Sequence, residues 1–171
     1  GTLRKVSATS TTVPDMYARA VALRMTGDTA SALSLASRLV TADPSNPYFH
    51  ELQGQIFYET GKVADAIAPY RLAVKQSGGN NLLPVGLAQA LVGGTPSQAH
   101  LQEAQTELEK ALSDERRNPQ LWRLLATAYG RQNQIGLATY ALAEEAFVKG
   151  NMRDAENQAK RAQAATEASY G

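Results

Sequence analysis

The sequence predicts an all-α solenoid of about four helix-turn-helix repeats, closed by a terminal capping helix. Three observations carry that expectation. A pattern of small and apolar residues returns at a spacing of 34, so that Gly27, Ala32, Leu33, Ala36 and Val40 recur as Gly61, Ala66, Ile67, Tyr70 and Val74. Those positions stand at helical spacing, and a period of this length is one pair of helices that needs a neighbour to bury its apolar face. Glycines and Asn-Pro or Asp-Pro pairs then punctuate the chain where one helix must stop and the next begin.

In order along the chain, Val6 to Val13 is rich in Ser and Thr, has no helical period and reads as a linker or N-terminal cap over residues 1–13. The first hairpin has helices of about Pro14 to Thr26 and Thr29 to Thr41, with Gly27-Asp28 in the turn and Asp43-Pro44 as the stop. The second has helices of about Pro47 to Thr60 and Val63 to Gln76, closed by Gly78-Gly79. Pro69 conflicts with its second helix, because proline supplies no N–H to the ladder, and predicts a bend or a later start there. In the third the spacing from Ala66 to Ala104 widens to 38, so a longer loop around Gly93-Gly94-Thr95-Pro96 separates helices of about Leu82 to Val92 and Ser97 to Ser113. Asn118-Pro119 restarts the pattern as Asn46-Pro47 does, with helices of about Pro119 to Gln132 and Ile135 to Lys149. A last helix, about Met152 to Ala168, places Ala155, Ala159 and Ala162 on one face and charges on the other, as a soluble capping element requires. Residues 14–168 thus read as a single superhelical domain, with units of about 14–46, 47–80, 81–117 and 118–150 and the end helix at 151–168.

Packing supports the same organisation. Gly54, Ala88 and Ala126 stand where the first helix of a unit meets its partner closely, and Ala32, Ala66, Ala104 and Ala138 are the small positions of the second helix. Phe49, Leu52, Ile56, Phe57 and Tyr70 fill the second unit, and Trp122, Leu125, Tyr129 and Leu142 fill the fourth. Overfilling a slot of this kind costs about 1 to 3 kcal/mol.

Composition narrows the function. With 17 basic against 16 acidic residues, and Arg116-Arg117 preceded by Asp114-Glu115, no basic patch suited to nucleic acid stands out. The absence of cysteine excludes disulfides and thiolate metal sites. No apolar run approaches the ~20 residues that span a bilayer, so no membrane insertion is expected. An opening Gly in place of Met is expected of a processed or cloned piece of a longer protein, with any export signal upstream.

Catalytic motifs are missing. His50-Glu51 begins like the zinc-peptidase motif H-E-x-x-H, but Leu52, Gln53 and Gly54 follow, and His100 is the one other histidine. Gly61-Lys62 is followed by Val63 and lacks the glycine spacing of a phosphate loop, and no Gly-x-Ser-x-Gly elbow occurs. No cofactor is expected in this chain. The paired acids Glu144 and Glu145 have a place near a cleft open to them, but solvation is expected, as acids on amphipathic helices are mostly solvated.

The repeat resembles the tetratricopeptide repeat (TPR), in which a bulky residue early in the first helix meets small residues of the second. More specifically, TLRKVSATST through VPDMYARAVALR, then ADPSNPYFHELQGQIFYETGKVADAIAPYRLAV and NPQLWRLLATAYGRQNQIGLATYALAEEAF, resemble the carboxyl-terminal TPR region of exported bacterial zinc metalloproteases of the BepA type. The resemblance implies a periplasmic location, and docking of substrates, outer-membrane assembly proteins or the cognate protease domain. Zinc is implied only in an upstream protease domain, since none of the family's zinc ligands has a counterpart here. His50 departs from the Trp common at its place, which leaves the packing of the second unit in question.

TPR grooves are lined by the first helix of each unit. Counting from Gly54, Ala88 and Ala126, the partner-binding set is Tyr17, Val21, Arg24, Glu51, Gln55, Tyr58, Glu59, Val85, Gln89, Arg123, Thr127 and Arg131, extended by Tyr140, Glu144 and Phe147 near the end. Aromatics and Arg are frequent binding anchors, although Tyr17, Tyr58 and Tyr140 also suit the edge of an amphipathic core. Glu51 and Glu59 would repel the terminal carboxylate that Lys- and Asn-lined cochaperone TPRs hold. The expected ligand is an extended or helical protein segment, bound weakly through aromatic contact, and replacing Tyr58 and Arg123 by Ala is expected to weaken it with helix content unchanged. Two functions stay open: a docking module of a zinc protease, or a free-standing TPR adaptor or oligomerisation module in envelope or pilus assembly.

Overall fold

The computed structural model of the chain describes residues 12–78 and 83–169. Most of the predicted linker, Gly79 of the second closing turn, and Leu82, where the fifth helix was expected to start, lie outside the described residues. Within them, helices follow one another as α1 (Val13–Met25), α2 (Thr29–Ala42), α3 (Pro47–Glu59), α4 (Val63–Gln76), α5 (Leu83–Val92), α6 (Gln98–Asp114), α7 (Pro119–Arg131), α8 (Ile135–Val148) and α9 (Met152–Ser169). The chain divides into two compact units at Leu83/Pro84.

In the first unit α1 packs on α2, α2 on α3 and α3 on α4. Met16 and Ala20 of α1, Ala32, Ala36 and Leu39 of α2, and Phe49, Leu52 and Ile56 of α3 form its core. Small residues at the crossings let the helices approach, and one contact shows how tightly. A Cβ on Gly54 would stand 2.8 Å from the ring of Tyr70, closer than any real Cβ stands. At the corresponding places 72 residues on, α7 and α8 carry Ala126 and Leu142. The fourth hairpin spends on the first helix the volume that the second spends on the other.

Helix starts follow from capping chemistry. Asn46 and Asn118 each accept a backbone N–H two residues on, from Tyr48 at 3.1 Å and Gln120 at 3.0 Å, with Pro at the first helical position in both. The turns end in left-handed residues: Gly27 and Gly61 in the first two hairpins, but Asn133, with φ 60°, between α7 and α8. Asparagine is the side-chain-bearing residue that tolerates this conformation best.

Two expectations are corrected. α4 begins at Val63 and runs through the buried Pro69 to Gln76, so no later start occurs. In α9 Ala155 is buried but Ala159 is exposed. The helix turns Ala155, Ala162 and Ala165 inward, with Ala162 and Ala165 close to Gly136 of α8. In the second hairpin, where His50 left the packing in question, the imidazole is buried with one ring nitrogen bonded and Nδ1 without a partner among the described residues. His50 is 4% exposed, and its Nε2–H donates to the carbonyl of Pro44 at 2.8 Å. Trp122 makes the same bond in α7, its Nε1–H donating to the carbonyl of Arg116 at 2.8 Å, again six residues upstream. The imidazole thus does in α3 what the indole does in α7, at a smaller volume.

The longer loop between α5 and α6 is tied down rather than loose. Arg131 at the end of α7 donates to the carbonyl of Gly94 at 3.0 Å. Beside it the Gln132 amide bridges two residues of α6, accepting from Gln98 and donating to Gln105.

Candidate functional site

Two surfaces collect chemistry, one in each unit. In the first, α1 contributes Tyr17, Val21 and Arg24, and α3 contributes Glu51, Gln55, Tyr58 and Glu59. Tyr17 and Val21 are half-buried against the core, the Tyr17 ring tilted on Phe49 with centroids 5.7 Å apart. Arg24 closes an ion pair on Glu59 at 2.5 Å, which commits the one cation of this set. Gln55 donates to Glu51 Oε1 at 3.3 Å from one turn away.

Electrostatics joins these groups. Burial pushes the Glu51 carboxyl above the usual carboxylate range. It also raises the Tyr17 phenol, with the charge of Glu51 adding to the effect. The Tyr70 phenol is lifted furthest, by burial first and then by the charges of Glu51 and Glu59. Tyr70 of α4 thus lies within electrostatic reach of these groups but is itself buried, one of the filling residues that the sequence expects.

In the second unit the predicted groove residues do not gather around one cavity. Arg123 Nε reaches the Glu145 carboxylate at 2.8 Å, and Lys149 reaches its other oxygen at 2.5 Å. Glu145 is 3% exposed, which corrects the expectation that it is solvated. A buried carboxylate needs such partners, and it stands where the second hairpin has Ala73. Arg131 is held by Gly94, and the Thr127 hydroxyl donates to the Arg123 carbonyl of its own helix. Val85 and Gln89 lie half-buried on α5.

One concavity of this unit lies instead between α6, α7 and α8, a cleft of about 340 Å³ whose walls include Glu109, Arg116, Trp122, Tyr129 and Tyr140, and a wider one of about 520 Å³ lies between α8 and α9. Trp122 and Tyr140 meet edge to face at 6.0 Å and 90°. The Tyr129 hydroxyl donates to Glu109 Oε1 at 2.7 Å, and its phenol is raised by burial and then by that bond. Burial also raises Tyr140, followed by its hydrogen bond to Glu144, while Arg116 acts in the opposite sense. Of the residues predicted near the end, Tyr140 and Phe147 are exposed and Glu144 is half-buried on α8. Glu109, Arg116, Trp122 and Tyr129 were not among the predicted binding residues, because the two large aromatics read as core filling and the charges as solvated. Among the described residues no group of three or more His, Asp or Glu stands close enough to hold a metal ion, and no helix is long and apolar enough to cross a membrane.

The tetratricopeptide repeat family profile matches residues 17–81. Solved structures extend the likeness to nearly the whole chain. A MamA fragment from Desulfovibrio magneticus superposes with a TM-score of 0.72 at 12% identity, over 94% of this chain and 98% of its own. YrrB, described as a TPR protein with an unusual peptide-binding site, gives 0.72 at 16% identity, over 96% of this chain and 80% of its own. A TPR protein of Thermus thermophilus gives 0.59 at 18% identity, over 88% and 90%. No curated protein sequence matches the chain. The chain has the all-α fold of the TPR proteins, the solenoid class that its sequence predicts.

Proposed function

We propose that this chain is a non-catalytic docking module that holds a protein segment against the α1/α3 face of its first unit. The observation that carries the reading is the partly exposed aromatic and charged surface of Tyr17 on α1 and of Glu51, Tyr58 and Glu59 on α3, with the Arg24–Glu59 ion pair joining the two helices. Such mixed surfaces suit peptide anchors, and a groove between helices holds them by shape. The likeness to a peptide-binding TPR protein supports the same reading. Panning the whole chain against a random dodecamer library tests it. Retained peptides should lose about tenfold in affinity on Tyr58→Ala, with helix content unchanged. Equal retention by both proteins refutes it. Arg123→Ala is a poor companion for that test, because it removes a partner of the buried Glu145.

The sequence resemblance extends the proposal to a setting. The module serves an exported zinc metalloprotease of the BepA type, in the periplasm, and brings substrates or outer-membrane assembly proteins to a protease domain that carries the zinc. The quoted phrases alone support that extension. A gene encoding H-E-x-x-H upstream of Thr2 would be expected. A start codon or lipoprotein signal there would favour the free-standing adaptor.

A further inference from the structure

The fourth hairpin brings together three charges that the second hairpin does without. Glu145 of α8 is 3% exposed, and its two oxygens are answered separately, Oε2 by Arg123 Nε of α7 at 2.8 Å and Oε1 by Lys149 Nζ at 2.5 Å. At the corresponding places 72 residues earlier stand Glu51, the buried Ala73 and Ser77. The second hairpin thus closes on an alanine where α8 carries a carboxylate, so packing alone does not call for the charge. Taking a carboxylate out of water carries a desolvation cost that its partners at best offset. One cation would neutralise it, and the second leaves the group with a surplus of one positive charge. The carboxylate is buried, whereas the side chains of Arg123 and Lys149 are 60% and 53% exposed. Each cation is therefore fixed on the inner side and open to water on the outer. The two contacts and the width of a carboxylate put the cationic nitrogens at most about 7.5 Å apart, a gap that a second carboxylate spans in the same way. Among the described residues neither cation has a second acidic partner. The adjacent Glu144 is hydrogen-bonded to Tyr140, and α7 itself carries no acid.

We propose that Arg123 and Lys149 form a site for a carboxylate, the side chain of an Asp or Glu in a bound protein segment, and that the buried Glu145 is the positioning residue for both cations. Charge complementarity selects a monoanion, because a carboxylate cancels the surplus charge whereas a phosphate dianion overshoots it. The guanidinium offers a planar set of N–H donors suited to the two oxygens of a carboxylate, and the ammonium adds donors of its own. Holding both side chains in place beforehand removes part of the ordering cost that binding would otherwise carry. The site lies on the second unit and goes beyond the docking reading, so it stands or falls separately from the α1/α3 face.

Titration of the isotope-labelled whole chain, followed by nuclear magnetic resonance at the Arg123 Nε–H and the Gly150 amide, tests this. The probes are acetyl-Ala-Glu-Ala-amide, acetyl-Ala-Gln-Ala-amide, sodium acetate and inorganic phosphate. The Glu peptide should shift both signals saturably, about tenfold more tightly than the Gln peptide. Acetate should shift them in the same direction, and phosphate should bind no more tightly than acetate. Glu145→Ala, which copies Ala73 and is checked for folding by circular dichroism, should weaken the Glu peptide about fivefold or more, although it removes a like charge from the site. A Glu145 that serves structure alone predicts the reverse, since losing a negative charge favours an anion. Lys149→Gln, a change at an exposed side chain, should weaken the Glu peptide as well and carries the test if Glu145→Ala unfolds. Equal affinities for the Glu and Gln peptides, or undiminished binding of the Glu peptide by Glu145→Ala or Lys149→Gln, would overturn the inference. Phosphate binding more tightly than acetate would overturn the choice of a carboxylate.

Discussion

At Gly54 the fold leaves no room for a single methyl group. Gly54→Ala drives a Cβ into the Tyr70 ring, and the variant should lose about 1 to 3 kcal/mol of stability in denaturant unfolding. Combining it with Tyr70→Leu, which copies the Ala126 and Leu142 pairing of the fourth hairpin, should recover most of that loss. A double variant no better than the single one would disprove the volume argument. Glu51 shows the opposite economy, in which function and stability pull apart. Its carboxyl is held above the usual range by burial, so the fold favours the protonated form. The stability it contributes is complete at low pH and is lost as pH rises from the unfolded value near 4.3 through the higher folded one. Glu51→Gln should therefore match wild type at acid pH and melt at a higher temperature at neutral pH. A wild type that gains on the variant as pH rises would contradict burial as the cause.

Single elements were legible where their signals are local. The Asn-Pro caps and the glycine turns place helix boundaries within a residue or two of those observed. Asn133 is the exception to the glycine rule among the hairpin turns, and it makes the α7/α8 turn testable. Asn133→Gly should leave stability nearly unchanged, whereas Asn133→Val should cost about 1 to 2 kcal/mol by thermal unfolding, because a β-branched side chain resists φ 60°. Of the bend or later start expected at Pro69, the later start does not occur, because the α3/α4 packing holds the helix through a missing ladder bond. Ala159 was misplaced because helical spacing allows either of two inward faces for an alanine-rich helix, and only the partner decides between them. The partnerships of charge were illegible for a related reason. Arg24 with Glu59 and Arg123 with Glu145 join residues more than twenty apart in sequence, and their proximity exists only after the helices pack.

For the molecule as a whole, the sequence conveys repetition far better than surface. The residues of the α1/α3 face were named in advance, while the cleft between α6, α7 and α8 was missed because its aromatics also satisfy the core pattern. Trp122, the one tryptophan of the chain, belongs to that cleft, edge-on to Tyr140 with its ring N–H bonded to Arg116. Its emission is therefore a local optical probe. A denaturation curve followed by tryptophan fluorescence watches residues 84–169, whereas far-ultraviolet ellipticity sums helices on both sides of the division at Leu83. In the Gly54→Ala variant the ellipticity midpoint should fall further than the fluorescence midpoint, and coincident shifts would mean that the two units melt as one. The helices α1 and α3 carry no tryptophan, so a direct indicator for a peptide settling on their face has to be installed by labelling near Tyr58.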